Sequence, residues 1–472
     1  GEGEGELWAP PQAYRASCAG VAGLAALPVG LLAGWYLLAG DGRDRDRPVP
    51  VPRALAAAGV GVDERLRLRS TRAKGTGLAV SKPVPAGCVL MKIPCEALLT
   101  GALAKRVLGP GASDLEPSVA LCALLAEGRR DAKVGGGRDV LGLLEYLLAM
   151  PAKFPSLPLW LDDERAEELL GGTALHFASR ALRAQAEAER EAAIAALGEN
   201  LQAAWSPECW MWAKAAMLTR AGIAAGAEEA DGGAGEEQPS NDITIVPLVD
   251  FANCAEAPSA ECRRGPSGEV LLVALQDLRG GDEVTLRYGD QSHEQCLFTF
   301  GFALPSTKCV VSAPLPLTTP EGASNLRAAL MQLLVISVLE RDGSSGSDGG
   351  VPPAARLFRT PSGEVDCSEL IMVANILHMD EEKVKAVAEV ASRSNGILPA
   401  ELGERPLGAA PAAHLEALLE GWLDALGGPP PAGGSVQSKA GRDEFAPLRA
   451  YRAECRALVA AALARVSVPA AP

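Results

Sequence analysis

Residues 241–302, NDITIVPLVDFANCAEAPSAECRRGPSGEVLLVALQDLRGGDEVTLRYGDQSHEQCLFTFGF, decide the reading of this chain. An apolar strand ends in Asp250-Phe251-Ala252-Asn253-Cys254, and an acidic and polar interruption follows. Residues 274–284, ALQDLRGGDEV, then read as a strand and a Gly-Gly turn. Tyr288-Gly289 stands at the end of the next strand, Ser292 lies three residues beyond Gly289, and Gly301-Phe302 closes the segment.

In this order the three signatures resemble the cofactor-and-catalysis end of SET-domain methyltransferases. They are most similar to the Rubisco large-subunit methyltransferase class, which also contains the actin histidine methyltransferase. Asp250 to Cys254 resembles that family's D-x-x-N-H, with Cys254 where the family prefers His. The resemblance implies an α+β fold in which small, mostly antiparallel β-sheets form the SET core. A helical insert interrupts that core, and an all-helical substrate-binding domain follows it. The resemblance also implies that the segment carrying the tyrosine threads under the loop bearing the D-x-x-N-H motif, a topology that general rules of chain connection disfavour.

Working outward, residues 78–80 and 89–93 alternate as strands should, and Pro85-Ala86-Gly87 supplies a turn between them. Gly75-Thr76-Gly77-Leu78 precedes them and resembles the G-x-G-L element of the family's opening hairpin. A Gly-x-Gly turn is common structural punctuation; its weight here comes from standing at the correct end of a chain with the later signatures. From 118 to about 220 the apolar residues recur at i, i+3 and i+4, as in VALCALLAEGRR, LGLLEYLLAMP and ALRAQAEAEREAAIAALGENLQAAW. The family carries its insert there, and Trp160, EELLGGTAL at 167–175, Trp212-Ala213 and Thr219-Arg220 resemble its landmarks. The tryptophans are more often core than site. The acidic, Gly-rich stretch 225–240 reads as a loop. Beyond Phe302 the pattern is helical again, with Gly/Ser/Pro-rich breaks near 343–353 and 427–441. The expected organisation is a hydrophobic segment and linker at 1–53, a SET domain at 64–304 with its insert at about 100–240, and a helical domain at 305–472.

A chain of 472 residues, nearly half of them apolar, can hold two domains of ordinary size. A formal net charge of −15 argues against nucleic-acid binding and is compatible with a basic, lysine-bearing protein substrate. Eleven cysteines with no C-x-x-C pair, and only four histidines, exclude the usual structural zinc signatures. No metal is expected, and the thiols read as free and mostly buried in a reducing compartment. Residues 18–40, CAGVAGLAALPVGLLAGWYLLAG, carry no charge over 23 positions, with Arg15 before them and DGRDRDRP after. That length can span a bilayer, and Trp35 and Tyr36 sit near one end, where interfacial aromatics are expected. Two readings stand: a membrane-anchoring helix, or a targeting peptide for an organelle such as the plastid that never spans a membrane in the mature protein. With neither, the protein is cytoplasmic, and a monomer is expected.

The resemblance implies S-adenosylmethionine as cofactor. Methyl transfer from it is an in-line displacement at a sulfonium methyl by a neutral nitrogen. A free lysine, with a pKa near ~10.4, is mostly charged at neutral pH and cannot attack. A narrow apolar channel disfavours the ammonium form. Tyr288 matches the tyrosine whose hydroxyl lies beside the transferring methyl, an electrostatic and positional role; the bland alternative is a strand tyrosine packed on the core. Asn253 and Cys254 match positions that contact the cofactor's adenine and methionyl parts, and Gly75 and Gly77 belong to the G-x-G-L element that meets the cofactor in the family. Asp250 is expected to hold the cofactor-side loop by hydrogen bonds, or else simply to cap a strand. Arg220 resembles the arginine that pairs with the cofactor's carboxylate, although an isolated helical Arg is usually solvated. Phe300 stands where many relatives carry Tyr, which removes one hydrogen-bonding partner for a target amine. His293 reads as a solvated loop residue.

The expected function is S-adenosylmethionine-dependent N-methylation of lysine in a protein substrate. Histidine methylation by the same fold, a catalytically silent SET scaffold that binds peptides, and a membrane-tethered adaptor are the rivals.

Overall fold

The computed structural model describes residues 49–50, 59–71, 75–134, 143–198, 201, 204–222, 243–289, 291–304, 310–313, 324–341, 355–360, 362–428 and 445–467. The hydrophobic run 18–40, with the membrane and targeting expectations placed on it, lies outside them, as does the acidic stretch 225–240. Among the described residues, no helix is long and apolar enough to cross a membrane.

Six short strands lead in: β1 (Val49–Pro50), β2 (Gly61–Val62), β3 (Leu66–Thr71), β4 (Gly75–Val80), β5 (Val89–Ile93) and β6 (Leu99–Thr100). The strands β4 and β5 sit where alternation of apolar residues places them, but they are not partners. β4 pairs antiparallel with β3, from Leu66 opposite Val80 to Thr71 opposite Gly75. β5 belongs to a different sheet, against β2 and a later strand. The expected hairpin through Pro85-Ala86-Gly87 is therefore a crossover between sheets. The reason is visible at Val84, which bridges to Leu278 and turns the chain away from β4 before β5 begins.

Six helices follow: α1 (Gly101–Leu108), α2 (Pro117–Val134), α3 (Leu143–Ala149), α4 (Asp163–Leu170), α5 (Ala174–Leu197) and α6 (Pro207–Arg220). The start of α6 is fixed by local chemistry. Ser206 accepts from the Cys209 amide at 3.2 Å, and Pro207 occupies the first turn, where its missing N–H costs nothing. The helix ends on Arg220, a cation at the negative end of the helix dipole.

The chain then returns to the sheets through β7 (Thr244–Ile245), β8 (Asn253–Cys254), β9 (Ala260–Arg264), β10 (Val270–Ala274) and β11 (Glu283–Leu286). The apolar strand expected to end in Asp250 is largely absent. A 3₁₀ turn at Val249–Phe251 separates two strands of two residues each, and Leu248 before it adopts φ 71°. Burial of Asp250 explains the departure, because its carboxylate is drawn inward by two helix side chains described below.

One sheet has the order β1-β3-β4-β11-β8, and another β2-β5-β10-β9. Among the described residues, all pairings are antiparallel except one. β11 and β8 run parallel, with Thr285 opposite Asn253 and Leu286 opposite Cys254. Two segments from the ends of the informative stretch thus lie side by side. The Ala255 amide donates to the Leu286 carbonyl at 2.9 Å, continuing the pairing.

The C-terminal part opens with α7 (His293–Phe300) and continues through β12 (Val310–Ser312), α8 (Asn325–Arg341), β13 (Arg356–Arg359) and β14 (Val365–Asp366). Five helices complete it: α9 (Ser368–His378), α10 (Glu381–Arg393), α11 (Glu401–Glu404), α12 (Ala409–Leu426) and α13 (Ala446–Val466). Helices dominate as expected, but the region is not all-helical. β12, β13 and β14 form a small antiparallel sheet. Its middle strand buries Leu357, and its Arg356 bonds the Glu369 carboxylate of α9 at 2.7 Å. A charged residue in an apolar setting hides the strand from a hydrophobicity pattern.

Two large cores hold the molecule. The first gathers β3, β4, β5, β10 and β11 with α2, α3 and α6. The second joins α4 and α5 of the insert to α7, α9, α12 and α13. The Trp205 and Trp210 side chains are fully buried in the first core, and Trp212 is buried there too.

Candidate functional site

The site forms where β4, β8 and β11 meet the ends of α6 and α7. Tyr288 lies just past β11, and its hydroxyl donates to the Ala252 carbonyl at 2.5 Å. This single bond joins the end of β11 to the turn that leads into β8. Burial pushes the phenol well above the usual tyrosine range, so it stays neutral. Its electrostatic neighbours are Arg220, Cys254, Asp250 and Glu283, which places the three sequence signatures around one hydroxyl.

Two phenylalanines from the end of α7 complete the surroundings of Tyr288. The Phe300 ring centroid is 4.9 Å from that of Tyr288, Phe302 is 6.3 Å away, and Phe300 and Phe302 are 5.9 Å apart. These distances fall in the range of favourable aromatic contact. The position of α7 follows from its cap. Ser292 accepts from the Gln295 amide at 3.2 Å, while the Gln295 side chain accepts from the Ser292 amide at 2.9 Å. Gly301 then takes a left-handed φ of 73°, which ends the helix between the two phenylalanines.

Below this lies a buried ionic cluster. Arg220 Nη1 contacts Asp250 Oδ2 at 2.5 Å and the Asp250 carbonyl at 3.1 Å. The Tyr146 hydroxyl of α3 donates to the same Asp250 oxygen at 2.8 Å. The Arg220 guanidinium also sits over the Phe251 ring, 4.9 Å from its centroid. Burial disfavours the Arg220 cation, but the Asp250 carboxylate overrides this and raises its pKa. Burial also pushes the Asp250 carboxyl upward, against the pull of Arg220. With a guanidinium in direct contact, we assign the ion pair as charged. Asp250 therefore ties the 249–254 turn to two helices of the insert. The Arg220 guanidinium bonds Asp250 through Nη1, and its buried Nε has no hydrogen-bond partner. The matching vacancy on the acid is Asp250 Oδ1.

On the other side of β8, Asn253 Nδ2 donates to Glu283 Oε1 of β11 at 2.7 Å. Gly77 of β4 faces this pair. A Cβ on Gly77 would collide with Asn253 Nδ2 and stand 3.2 Å from Glu283 Oε1. Only glycine admits so close an approach. Gly75 is different. Its φ of 75° suits glycine, but nothing lies within 4 Å of where its Cβ would be. It stands at the end of the β3–β4 pairing, opposite Thr71. Cys254 is half-buried, and burial raises its thiol pKa.

Tyr288, Asp250, Asn253, Cys254, Arg220 and Gly77 are thus brought together. Three contributors were not singled out in the sequence. Tyr146 has no local signal beyond a hydroxyl in an apolar helix, which must find a partner when buried. Glu283 lies inside the second signature, residues 274–284, where nothing but its place on a strand marks it out. The Ala252 carbonyl is a backbone group and carries no side-chain signature. Among the described residues, no group of His, Cys, Asp and Glu is placed to hold a metal.

No protein-family model matches the chain, and no curated protein matches it. Solved structures do. The SET domain of LSMT bound to lysine and AdoHcy superposes with a TM-score of 0.58 at 13% identity, over 88% of this chain and 89% of that one. The fold is a SET fold. Rubisco LSMT bound to sinefungin and monomethyllysine matches with a TM-score of 0.58 at 14% identity, over 88% of this chain and 90% of the other. Rubisco LSMT bound to AdoMet gives 0.57 at 14% identity, over 88% and 90%. The agreement spans the helical C-terminal part as well as the SET sheets, since both chains are covered almost throughout.

Proposed function

We propose that this chain is an S-adenosylmethionine-dependent protein N-methyltransferase that acts on lysine. The observation that carries the reading is the Tyr288 hydroxyl, held neutral, bonded to the Ala252 carbonyl and flanked by Phe300 and Phe302. The structural relatives support it: one is described with lysine and AdoHcy, another with AdoMet.

The residues present fit the cofactor. Its amino group needs an acceptor, and Asn253 has its Nδ2 engaged by Glu283, leaving Oδ1 as the acceptor end of the amide. Gly77, lacking a side chain, leaves room for the Asn253–Glu283 contact that presents this oxygen. When bound, S-adenosylmethionine supplies an electrophilic methyl group on a sulfonium. Everything else falls to the chain. Tyr288, with its proton committed to Ala252, presents oxygen lone pairs rather than a donor to the polarised methyl and the incoming amine. The three aromatic rings make an apolar wall that disfavours an ammonium ion and so favours the neutral, nucleophilic amine. Phe300 offers no hydroxyl to that amine. Cys254 sits on β8 with its backbone paired to Leu286, so the position can serve through main-chain groups without an imidazole.

A basic protein substrate suits the net charge of −15. The test is incubation of the purified protein with labelled S-adenosylmethionine and a soluble lysate, followed by mass mapping. Label on lysine supports the reading. Label on histidine would move the protein to the imidazole branch, and cofactor binding without transfer would make it a silent scaffold.

A further inference from the structure

The second glycine of Gly75-Thr76-Gly77 has a neighbour that explains it, and that neighbour is a pair of side chains. Asn253 and Glu283 come from β8 and β11, the two strands that run parallel. Their contact, Nδ2 to Oε1 at 2.7 Å, fills the volume a Cβ at Gly77 would need. Three strands thus converge on one amide group.

An Asn amide has two ends, a donor NH₂ and an acceptor oxygen, and nothing intrinsic selects which end faces outward. A carboxylate accepts only. It can face the NH₂ end favourably and the oxygen end only with repulsion. Glu283 therefore fixes the Asn253 amide in one of its two orientations, with Oδ1 turned away from β11. No described residue donates to that oxygen. A ligand group that complements it must be a hydrogen-bond donor, and a cationic amino group is the strongest such donor on an amino-acid-like cofactor.

Resting on the methyltransferase reading above, we infer that Glu283 is a positioning residue: it locks the Asn253 amide so that its oxygen receives the cofactor's amino group. Glu283 does not itself need to touch the cofactor. Its contribution is to remove the alternative rotamer, in which a donor would meet a donor. Gly77 belongs to the same device, because a side chain there would push the Asn253 amide off the carboxylate.

Calorimetry with S-adenosylmethionine and S-adenosylhomocysteine tests this, alongside steady-state KM and kcat for the cofactor. Glu283→Leu should raise the Kd for both ligands by about tenfold or more, because both carry the amino group, and its KM should rise more than its kcat falls. Glu283→Gln can pair with either end of the Asn253 amide and so no longer selects one; its Kd should fall between those of wild type and Glu283→Leu. The decisive pair exchanges the two chemistries. Asn253→Asp alone sets carboxylate against carboxylate and should weaken binding by about tenfold or more. Asn253→Asp with Glu283→Gln restores a donor–acceptor pair while keeping an outward oxygen, and should recover most of the loss. This arm decides even if Glu283→Leu fails to fold. Wild-type binding in Glu283→Leu, or no recovery in the exchanged pair, overturns the inference while leaving the methyltransferase reading intact. Failure of the wild-type protein to bind S-adenosylmethionine overturns that reading first and the inference with it.

Discussion

Tyr451, in the last helix, donates its hydroxyl to the buried carboxylate of Glu294, 157 residues earlier in α7. Glu294 also accepts from the Ser312 amide at 3.2 Å and from the Ser312 hydroxyl. The helix that ends on Phe300, against Tyr288, is thus clamped by the C-terminal part at its other end. Tyr451→Phe removes a partner from a buried anion and should cost about 1.5–3 kcal/mol, as hydrogen bonds to charged groups do. Urea denaturation reads this directly. A midpoint equal to wild type would mean that Glu294 is satisfied without Tyr451.

At Tyr288 the expected effect is on rate. Tyr288→Phe keeps the ring contacts with Phe300 and Phe302, so the melting temperature and the Kd for S-adenosylmethionine should change little. Methyl transfer should fall by about tenfold or more, the cost of losing an oxygen aimed at the transition state. Single-turnover transfer with labelled cofactor measures it, and equal turnover would remove Tyr288 from the mechanism.

The Arg220–Asp250 pair predicts an asymmetric response. Arg220→Met leaves the buried Asp250 carboxylate with Tyr146 as its side-chain partner and should destabilise by about 3–5 kcal/mol. Arg220→Met with Asp250→Leu removes both charges and should regain a substantial part of that loss. Thermal melts of the two variants check it; a double variant no more stable than Arg220→Met would show that the pair's role is in packing rather than charge.

Three tyrosines, the fully buried Tyr146 and Tyr451 and the half-buried Tyr288, have their phenol pKa raised by loss of solvent. Raised native pKa values mean that the folded state holds these protons more tightly than the unfolded chain does. The stability they contribute is complete below the unfolded value near ~10 and is lost as pH climbs beyond it. In a background with Tyr14→Phe and Tyr36→Phe, phenolate absorbance should rise only together with loss of helical circular dichroism. Reversible ionisation of all three near pH ~10 in a folded protein would contradict the burial.

A chain beginning at Val51 should remain monodisperse and bind S-adenosylmethionine, while the chain that includes residues 18–40 partitions into detergent or membranes. The prediction rests on the uncharged run of 23 residues, which shows no amphipathic stripe for docking on a core. Aggregation of the shorter chain, with the longer one staying dispersed without detergent, would make that run part of the core.

Local pattern revealed β4, β5, the long helices and the positions of Tyr288, Asn253 and Asp250, because each is written in neighbouring residues. What it missed was set by distant partners. The turn at Val249–Phe251 replaces a strand because Asp250 is drawn toward Arg220, 30 positions away, and Tyr146, 104 positions away. The hairpin assignment failed because Gly75-Thr76-Gly77 pairs backward to β3, while the turn at 85–87 leads into another sheet. Strand β13 was invisible because Arg356 breaks its apolar pattern, and the buried arginine is paired with Glu369 on α9, a partner far along the sequence. Phe300 and Glu283 were in plain view, yet their meaning depends on which side chain they face.

The second core has a consequence for how such a gene can change. The Trp422 indole of α12 donates to the Gly172 carbonyl at 2.9 Å, and a side chain at Gly172 would strike the backbone of Ala425. Leu157, Leu169 and Leu175 from the insert share apolar contacts with Leu419, Leu426 and Tyr451. The C-terminal half is therefore not a detachable module. Splicing it out, or grafting one from a paralogue, would strip the insert of its inner face, so the two sides of that seam must change together through paired substitutions.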